Sequence, residues 1–389
     1  MKETIFQTID SHAERIKQLA RWIGENPELG HEERMASGKL ADELEAQGFR
    51  LERNVLGLET AFIGTYGSKK PGPTVAFLLE YDALPGIGHA CGHHLICTMG
   101  LAAAIGVKSV LDDIGGTVRV YGTPAEETSG AKVPMAEAGL FDDVDAALMA
   151  HPFYRYEKSG TSLAMDALQF EFFGKAAHAA ANPEDGINAL DGVLLLFQSI
   201  NALRQQLRSD ARIHGVITHG GEAPNIIPDY ACARFYVRSA KREYTDEVAR
   251  KVIRCAEGAA MQTGCSVKVS NYEYSYDEMV TNEPLSEAFT QNLIGLGTDP
   301  AEIYEGQDHG SLDMGNVSRR CPAIHPFVRV INEHYQLHTT EFRDQAMTEP
   351  ALDSMITAAK ALAGTAFDVI TNQALLGQIR DAFRGSVKR

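Results

Sequence analysis

Apolar positions along the chain fall into runs of two kinds. Near the N-terminus Ile16, Leu19 and Ile23 recur at helical spacing until Asn26-Pro27 breaks the run, and a second helical stretch over 35–47 stops at Gly48. The pattern then turns to short apolar runs. One covers 60–65. Another, Thr74–Leu79 (TVAFLL), is uninterrupted and follows a Pro-Gly-Pro turn, as a strand buried on both faces requires. Residues 117–121 and 146–150 repeat this type, and a long helix rich in small residues is predicted over 94–111. Strands alternating with helices predict a layered α/β fold whose mixed, mostly parallel sheet is flanked by helices.

From about residue 164 the periodicity changes. Residues 167–173 alternate, a helix fits 187–207, strands fit 214–218 and 231–237, a helix fits 244–263 and a strand fits 266–274. The order β-α-β-β-α-β is the split βαβ, ferredoxin-like arrangement of a small α+β domain. After 283 the text returns to helix and buried strand and ends in a helix over 349–365. The expected organisation is one domain built from 1–163 and 283–389, with a second domain, 164–282, inserted into it.

The length of 389 residues suits about two domains. A formal net charge of -16, spread without a long single-sign run, counts against nucleic-acid phosphates as partner. The first twenty residues are polar and charged and lack the apolar core of a signal peptide, and no stretch of 18 apolar residues occurs, so no membrane span is expected. The six cysteines are dispersed rather than arranged as a disulfide framework. The expected location is therefore the reducing cytoplasm, where Cys serves as thiol or metal ligand.

Chemistry concentrates where predicted strands end, the places at which open α/β sheets build sites. After Leu79 comes Glu80-Tyr81-Asp82-Ala83-Leu84-Pro85-Gly86, then Gly88-His89-Ala90-Cys91-Gly92-His93-His94. A thiolate at Cys91 and an imidazole at His93, two apart across a glycine, suit one borderline-soft ion such as Zn²⁺, and Asp82 suits a carboxylate that orients the ligating imidazole. The plain alternative is a buried Cys beside a helix-capping His. After 117–121 come Glu126-Glu127. Two adjacent carboxylates repel unless a cation relieves them, and one can bind an ion while its neighbour takes a proton from a metal-activated water. His151-Pro152 closes 146–150, and Leu337-His338-Thr339-Thr340-Glu341-Phe342 lies near the C-terminus. Singly these are weak signals; one sheet can gather all four.

In the inserted domain, Gly174-Lys175-Ala176-Ala177-His178-Ala179 follows a strand. His178 suits either a helix-approach cap or a donor to the oxyanion of a tetrahedral intermediate. Asn225 and Arg238 suit a clamp on a substrate carboxylate, and Arg238 equally suits a solvated strand face. No G-x-S-x-G elbow, Walker loop or G-x-G-x-x-G is present. Two rivals remain: a Cys91 nucleophile paired with His93, and a metal- or peptide-binding protein without catalysis.

In these residues the chain resembles the M20 family of metallopeptidases and amidohydrolases, closest to the branch of aminoacylases, p-aminobenzoyl-glutamate hydrolases and β-alanyl-dipeptide hydrolases. The likeness runs from Asn26-Pro27-Glu28-Leu29-Gly30…Glu32-Glu33 through EYDALPG, HACGHHL, PAEE, His151, GKAAHAA, Asn225–Pro228 and Gly310-Ser311…Asp313 to LHTTEF. It implies metal-dependent hydrolysis of an amide bond in an N-acyl amino acid, a dipeptide or an aminobenzoyl-glutamate-like substrate. It implies two divalent ions (Zn, Mn, Co or Ni) on Cys91, His93, Glu127, His151 and His338, with Glu126 as general base. It also implies His178 as the oxyanion donor, in many relatives reaching into the site of a partner protomer, and an inserted domain that acts as lid and homodimer surface. Two departures stand out. His94 replaces the usual Asp or Asn after Cys-Gly-His, and Glu80-Tyr81-Asp82 replaces the His-x-Asp of the peptidase branch, removing one His ligand. His325 rivals His338 as the last ligand; the His-Thr before an acidic residue and an aromatic favours His338.

Overall fold

In this computed structural model, which describes residues 1–307 and 310–387, the chain divides into two compact units. One is Met1–Thr161 with Met279–Arg389; the other is Ser162–Glu278.

In chain order the first unit carries β1 (Arg50–Arg53), β2 (Phe62–Gly67), β3 (Thr74–Leu79), β4 (Thr117–Gly122), β5 (Ala146–Leu148), β6 (His151–Phe153) and β7 (Tyr156–Glu157). The second unit contributes β8 (Ala164–Phe173), β9 (Arg212–His219), β10 (Tyr230–Ser239) and β11 (Ser266–Asn271). The chain then returns to the first unit for β12 (Ile303–Tyr304), β13 (Ala323–Ile324) and β14 (Phe327–Arg329).

A six-stranded sheet runs β1-β2-β4-β3-β5-β13. Its β4-β3-β5-β13 part is parallel, while β1 and β2 join antiparallel at one edge. β3 sits inside the sheet, which is why TVAFLL reads as a continuous apolar run: Val75 to Leu79 are all buried. The helix His93–Ile114 lies on this sheet and packs against Lys2–Glu25 and Glu349–Thr371. Its small residues permit close approach, since a Cβ at Gly100 would stand 2.4 Å from Leu79 Cδ2. By length and composition this helix could cross a membrane, against the expectation that no such stretch exists, but its apolar surface is buried within the core of its unit.

Two further features escape the hydrophobic pattern. A small sheet, β12-β7-β14-β6, is made of strands of two or three residues, too short for any alternation to register. The terminal helix predicted over 349–365 runs to Thr371. A separate helix, Gln373–Val387, then starts after Asn372, whose Oδ1 accepts from the Ala374 and Leu375 amides at 3.1 Å each.

The second unit is an antiparallel sheet, β11-β8-β10-β9, with helices Ala189–Leu203 and Arg242–Thr263 packed on it. Its core is Phe170, Phe172, Leu196, Phe235, Val248 and their neighbours. The predicted β-α-β-β-α-β order is observed, each element within a few residues of its expected bounds.

Candidate metal centre and hydrolytic site

The centre is assembled from four loops of the first unit. At the end of β3 the chain places Glu80, Tyr81 and Asp82, all buried. It then turns through Gly92, whose φ of 83° is in the left-handed region, into the helix beginning at His93. That turn needs glycine twice over, because a Cβ at Gly92 would also stand 2.5 Å from Pro152 Cγ. The result brings Cys91 beside His151 and His93 beside the loop that follows β4.

Asp82 is the hinge of the arrangement. Its Oδ1 lies 3.0 Å from His93 Nδ1, and its Oδ2 accepts from the Glu127 amide at 2.9 Å. The first contact places a ring proton on Nδ1 and, although burial opposes it, the charge of Asp82 raises the imidazole well above its usual range; the buried Nε2 has no hydrogen-bond partner and is the nitrogen a bound cation would take in place of a proton. His151 is set the same way, with Nδ1 2.8 Å from the Pro152 carbonyl and Nε2 3.4 Å from Cys91 Sγ. His338, exposed and at φ 64°, is tied by its amide to the Ala90 carbonyl at 2.9 Å and holds Nε2 3.2 Å from Glu127 Oε1.

Three overlapping groups of donor atoms result, each within 4.8 Å: Cys91, His93 and His151; Cys91, Glu127 and His338; Glu80, His93 and Glu126. Two donors on one tetrahedral ion, at bond lengths of about 2.0–2.3 Å, stand roughly 3.3–3.6 Å apart. The 3.4 Å and 3.2 Å contacts above are close to that range. With the orphaned His93 Nε2 and the mixed sulfur, nitrogen and oxygen donors, the set fits divalent cations.

Electrostatics separate the two adjacent glutamates. Loss of hydration, then the charges of Glu80, Glu127 and Asp313, hold the Glu126 carboxyl well above its usual range. Glu127 also loses hydration, but the contact with His338 and the charge of His93 outweigh this and lower it. A proton acceptor and a ligand are the roles such a split pair suits. Burial raises the Cys91 thiol well above its usual range, helped by the Glu127 charge, so the protein alone offers no thiolate nucleophile there. Burial likewise keeps His151 neutral, reinforced by His325 and His93.

The remaining sequence candidates lie elsewhere. His94 turns into the core, its Nε2 3.3 Å from the Ala346 carbonyl, and belongs to none of the three donor groups. His325 is buried with its ring 5.5 Å from that of His151, also outside those groups. His178, Asn225 and Arg238 belong to the second unit. There His178 is exposed, and the Ala179 amide donates to the Asn225 carbonyl at 3.0 Å, so these two stand side by side. Arg238 lies within β10, its guanidinium 5.1 Å from the Tyr236 ring centroid.

Two more residues complete the centre: Glu33, which the sequence marked only as part of the family likeness and with no role, and Lys132, which drew no attention there. Glu33, fully buried, accepts from the Ala125 amide and the Thr60 hydroxyl at 2.9 Å each and so holds up the loop bearing Glu126 and Glu127. Lys132, fully buried, donates to Glu80 Oε1 at 2.7 Å and Asp313 Oδ1 at 2.6 Å. A lysine in the apolar text that follows a pair of glutamates was the available signal.

Residues 165–263 match the peptidase dimerisation domain of the M20 family. The chain is 37% identical to the Xaa-Arg dipeptidase of Mus musculus, over 99% of this chain and 92% of that one. It is 31% identical to a p-aminobenzoyl-glutamate hydrolase polypeptide of Escherichia coli K12, over 96% and 92%. Among solved structures, a Bacillus subtilis dinuclear metal binding peptidase of the M20 family superposes with a TM-score of 0.68 at 21% identity, covering 93% of this chain and 99% of that one. The aminobenzoyl-glutamate utilization protein of Klebsiella pneumoniae does so at 0.73 and 20%, covering 93% and 97%. These two structures bear on the fold; the sequence relatives bear on the chemistry. Their likeness along nearly the whole chain, together with a donor-rich centre at the strand ends, sets aside the non-catalytic reading: the chain belongs to the M20 family of metallopeptidases and amidohydrolases and is a metal-dependent hydrolase of amide bonds.

Proposed function

We propose that Cys91, His93, Glu127, His151 and His338 hold two divalent cations, that Glu126 is the general base, and that the substrate is a dipeptide whose C-terminal residue is basic. The observation that carries the chemistry is the divided carboxylate pair: Glu127 stands 3.2 Å from His338 Nε2 while Glu126 is pushed toward protonation. Cations bound by these donors polarise a carbonyl and acidify water. The donor set suits Zn²⁺, Mn²⁺, Co²⁺ or Ni²⁺.

Glu126 takes the proton of the attacking water and returns it to the leaving nitrogen. Asp82 keeps His93 in the tautomer whose Nε2 is free to bind. In the second unit His178 Nδ1 accepts from the Ala180 and Ala181 amides at 3.3 and 3.2 Å, which supports an Nε2–H tautomer able to donate to an oxyanion. Asn225 and Arg238 are assigned to the substrate carboxylate, and Ser162–Glu278 to lid motion and homodimerisation. That last assignment follows the match to a peptidase dimerisation domain. The enzyme is placed in the cytoplasm, where its thiols stay reduced.

The substrate class follows the mouse relative, named for dipeptides ending in Arg. A net charge of -16 supports a cationic leaving amino acid over glutamate. The test is hydrolysis of Xaa-Arg and Xaa-Lys dipeptides, N-acyl amino acids and p-aminobenzoyl-glutamate, with chelated and metal-reconstituted enzyme side by side. Cleavage of the basic dipeptides only when metal is restored is the expected result. Preference for p-aminobenzoyl-glutamate would overturn the substrate assignment, and cleavage after verified metal removal would overturn the centre.

A further inference from the structure

The position at which the chain departs from the His-x-Asp pattern carries a second acidic group. Glu80 reaches into the centre from the end of β3, buried, with its two oxygens in different surroundings. Oε1 is taken by the Lys132 ammonium at 2.7 Å. Lys132 is itself anchored on Asp313, through Nζ to Oδ1 at 2.6 Å and through its backbone amide to Oδ2 at 3.2 Å. Oε2 faces the other way and stands 3.5 Å from His93 Nε2.

That distance falls among those found for two donors on one ion, roughly 3.3–3.6 Å for tetrahedral coordination. The Nδ1 contact with Asp82 leaves Nε2 as the ring nitrogen available to an ion, and Nε2 of His93 and Oε2 of Glu80 converge in a buried space where Nε2 finds no hydrogen-bond partner. A cation shared by the two atoms would satisfy both, where a buried polar atom left without a partner is costly. An oxygen of Glu126 lies within the same 4.8 Å group.

We infer that Glu80 is a further ligand of the metal centre: the Lys132–Asp313 pair fixes one carboxylate oxygen and presents the other to the cation bound by His93. This rests on the two-cation reading proposed above and adds a sixth protein ligand to its five. Lys132 is a positioning residue, acting through Glu80. An ammonium tethers the carboxylate without competing for the oxygen that faces the ion, so Glu80 ligates through one oxygen only.

The experiment loads the full-length apo enzyme with Co²⁺ and follows calorimetric binding and the visible ligand-field spectrum for wild type, Glu80→Gln and Lys132→Met. Wild type is expected to take up two Co²⁺. Glu80→Gln is expected to bind one of them at least tenfold more weakly and to shift its ligand-field bands, with the Cys91-to-cobalt charge-transfer band retained. Lys132→Met is expected to shift the same bands less. Unchanged bands in Glu80→Gln overturn the inference even if affinity falls, since a carboxylate outside the coordination sphere can weaken binding through His93. If Glu80→Gln does not fold, the crystal structure of Zn²⁺-loaded wild type decides: a Glu80 Oε2–Zn²⁺ distance of about 2.0–2.2 Å supports the inference, and one beyond about 3 Å overturns it. Wild type that binds no Co²⁺ defeats the two-cation reading itself, a separate outcome.

Discussion

At the scale of single residues the centre works by giving chemically identical groups different surroundings. Glu126 and Glu127 are neighbours, yet one faces other carboxylates and the other faces His338 and His93. Replacing Glu126 with Gln keeps the shape and removes the proposed base. We expect metal content to stay at the wild-type level while kcat falls roughly 10²–10⁴-fold, read by elemental analysis and steady-state kinetics. Unaltered kcat would remove Glu126 from that role.

Glu33 shows the same principle in a supporting position. Burial, then the charge of Asp82, raises its carboxyl to about 7. The unfolded value is near 4.5, so between these pH values the folded chain holds a proton that the unfolded chain has lost. Stability from this group is greatest at or below about pH 4.5, falls as pH rises toward 7, and is level above, by about 3 kcal/mol in all. Glu33→Gln can keep the contacts to Ala125 and Thr60 without this titration. Urea unfolding at about pH 4.5 and about pH 7.5 should show the difference between the two conditions shrinking by about that amount relative to wild type. Equal differences in both proteins would exclude Glu33 as the titrating group.

At the scale of elements the decisive piece is the turn from β3 into the helix His93–Ile114. It must deliver Cys91 to His151 and His93 to Asp82 within three residues, and the left-handed Gly92 against Pro152 makes that possible. Gly92→Ala should cost about 1–3 kcal/mol through backbone strain and the clash. Because the strain falls between two of the proposed ligands, metal affinity should drop more than stability does. Chelator competition beside thermal melting would separate the two effects, and full metal affinity in a destabilised variant would contradict this account. Much of this level was legible in the sequence. TVAFLL announced a strand buried on both faces, and the strand-end positions of EYDALPG, PAEE and His151 brought these segments together as candidates for one centre. The sheet of β6, β7, β12 and β14 was not legible, because two- and three-residue strands carry no period.

At the scale of the whole molecule the two units differ in what holds them. Ser162–Glu278 is sustained by an ordinary apolar core between one sheet and two helices. Met1–Thr161 with Met279–Arg389 has such a core too, but encloses Glu33, Glu80, Asp82 and Asp313, with Lys132 the one buried lysine among the described residues. Bound cations would balance that charge, so removing them should loosen this unit selectively. Hydrogen exchange after chelation should rise around 80–94, 123–132 and 337–342 and stay unchanged across β8 to β11. A uniform rise in both units would count against it.

The sequence by itself determined the layered α/β class, the inserted β-α-β-β-α-β order and the residue types of the centre. These follow from local periods and from the ends of apolar runs, which neighbouring residues dictate. It could not determine the partners that orient the His93 and His151 rings, the different surroundings of Glu126 and Glu127, or the presence of Glu80, Lys132 and Asp313 as one buried cluster. Those depend on which groups, far apart in sequence, come into contact, as with Lys132 and Asp313, 181 positions apart and joined at 2.6 Å. Proton placement and carboxylate affinity are set by burial and by facing charges, and only the folded chain supplies both.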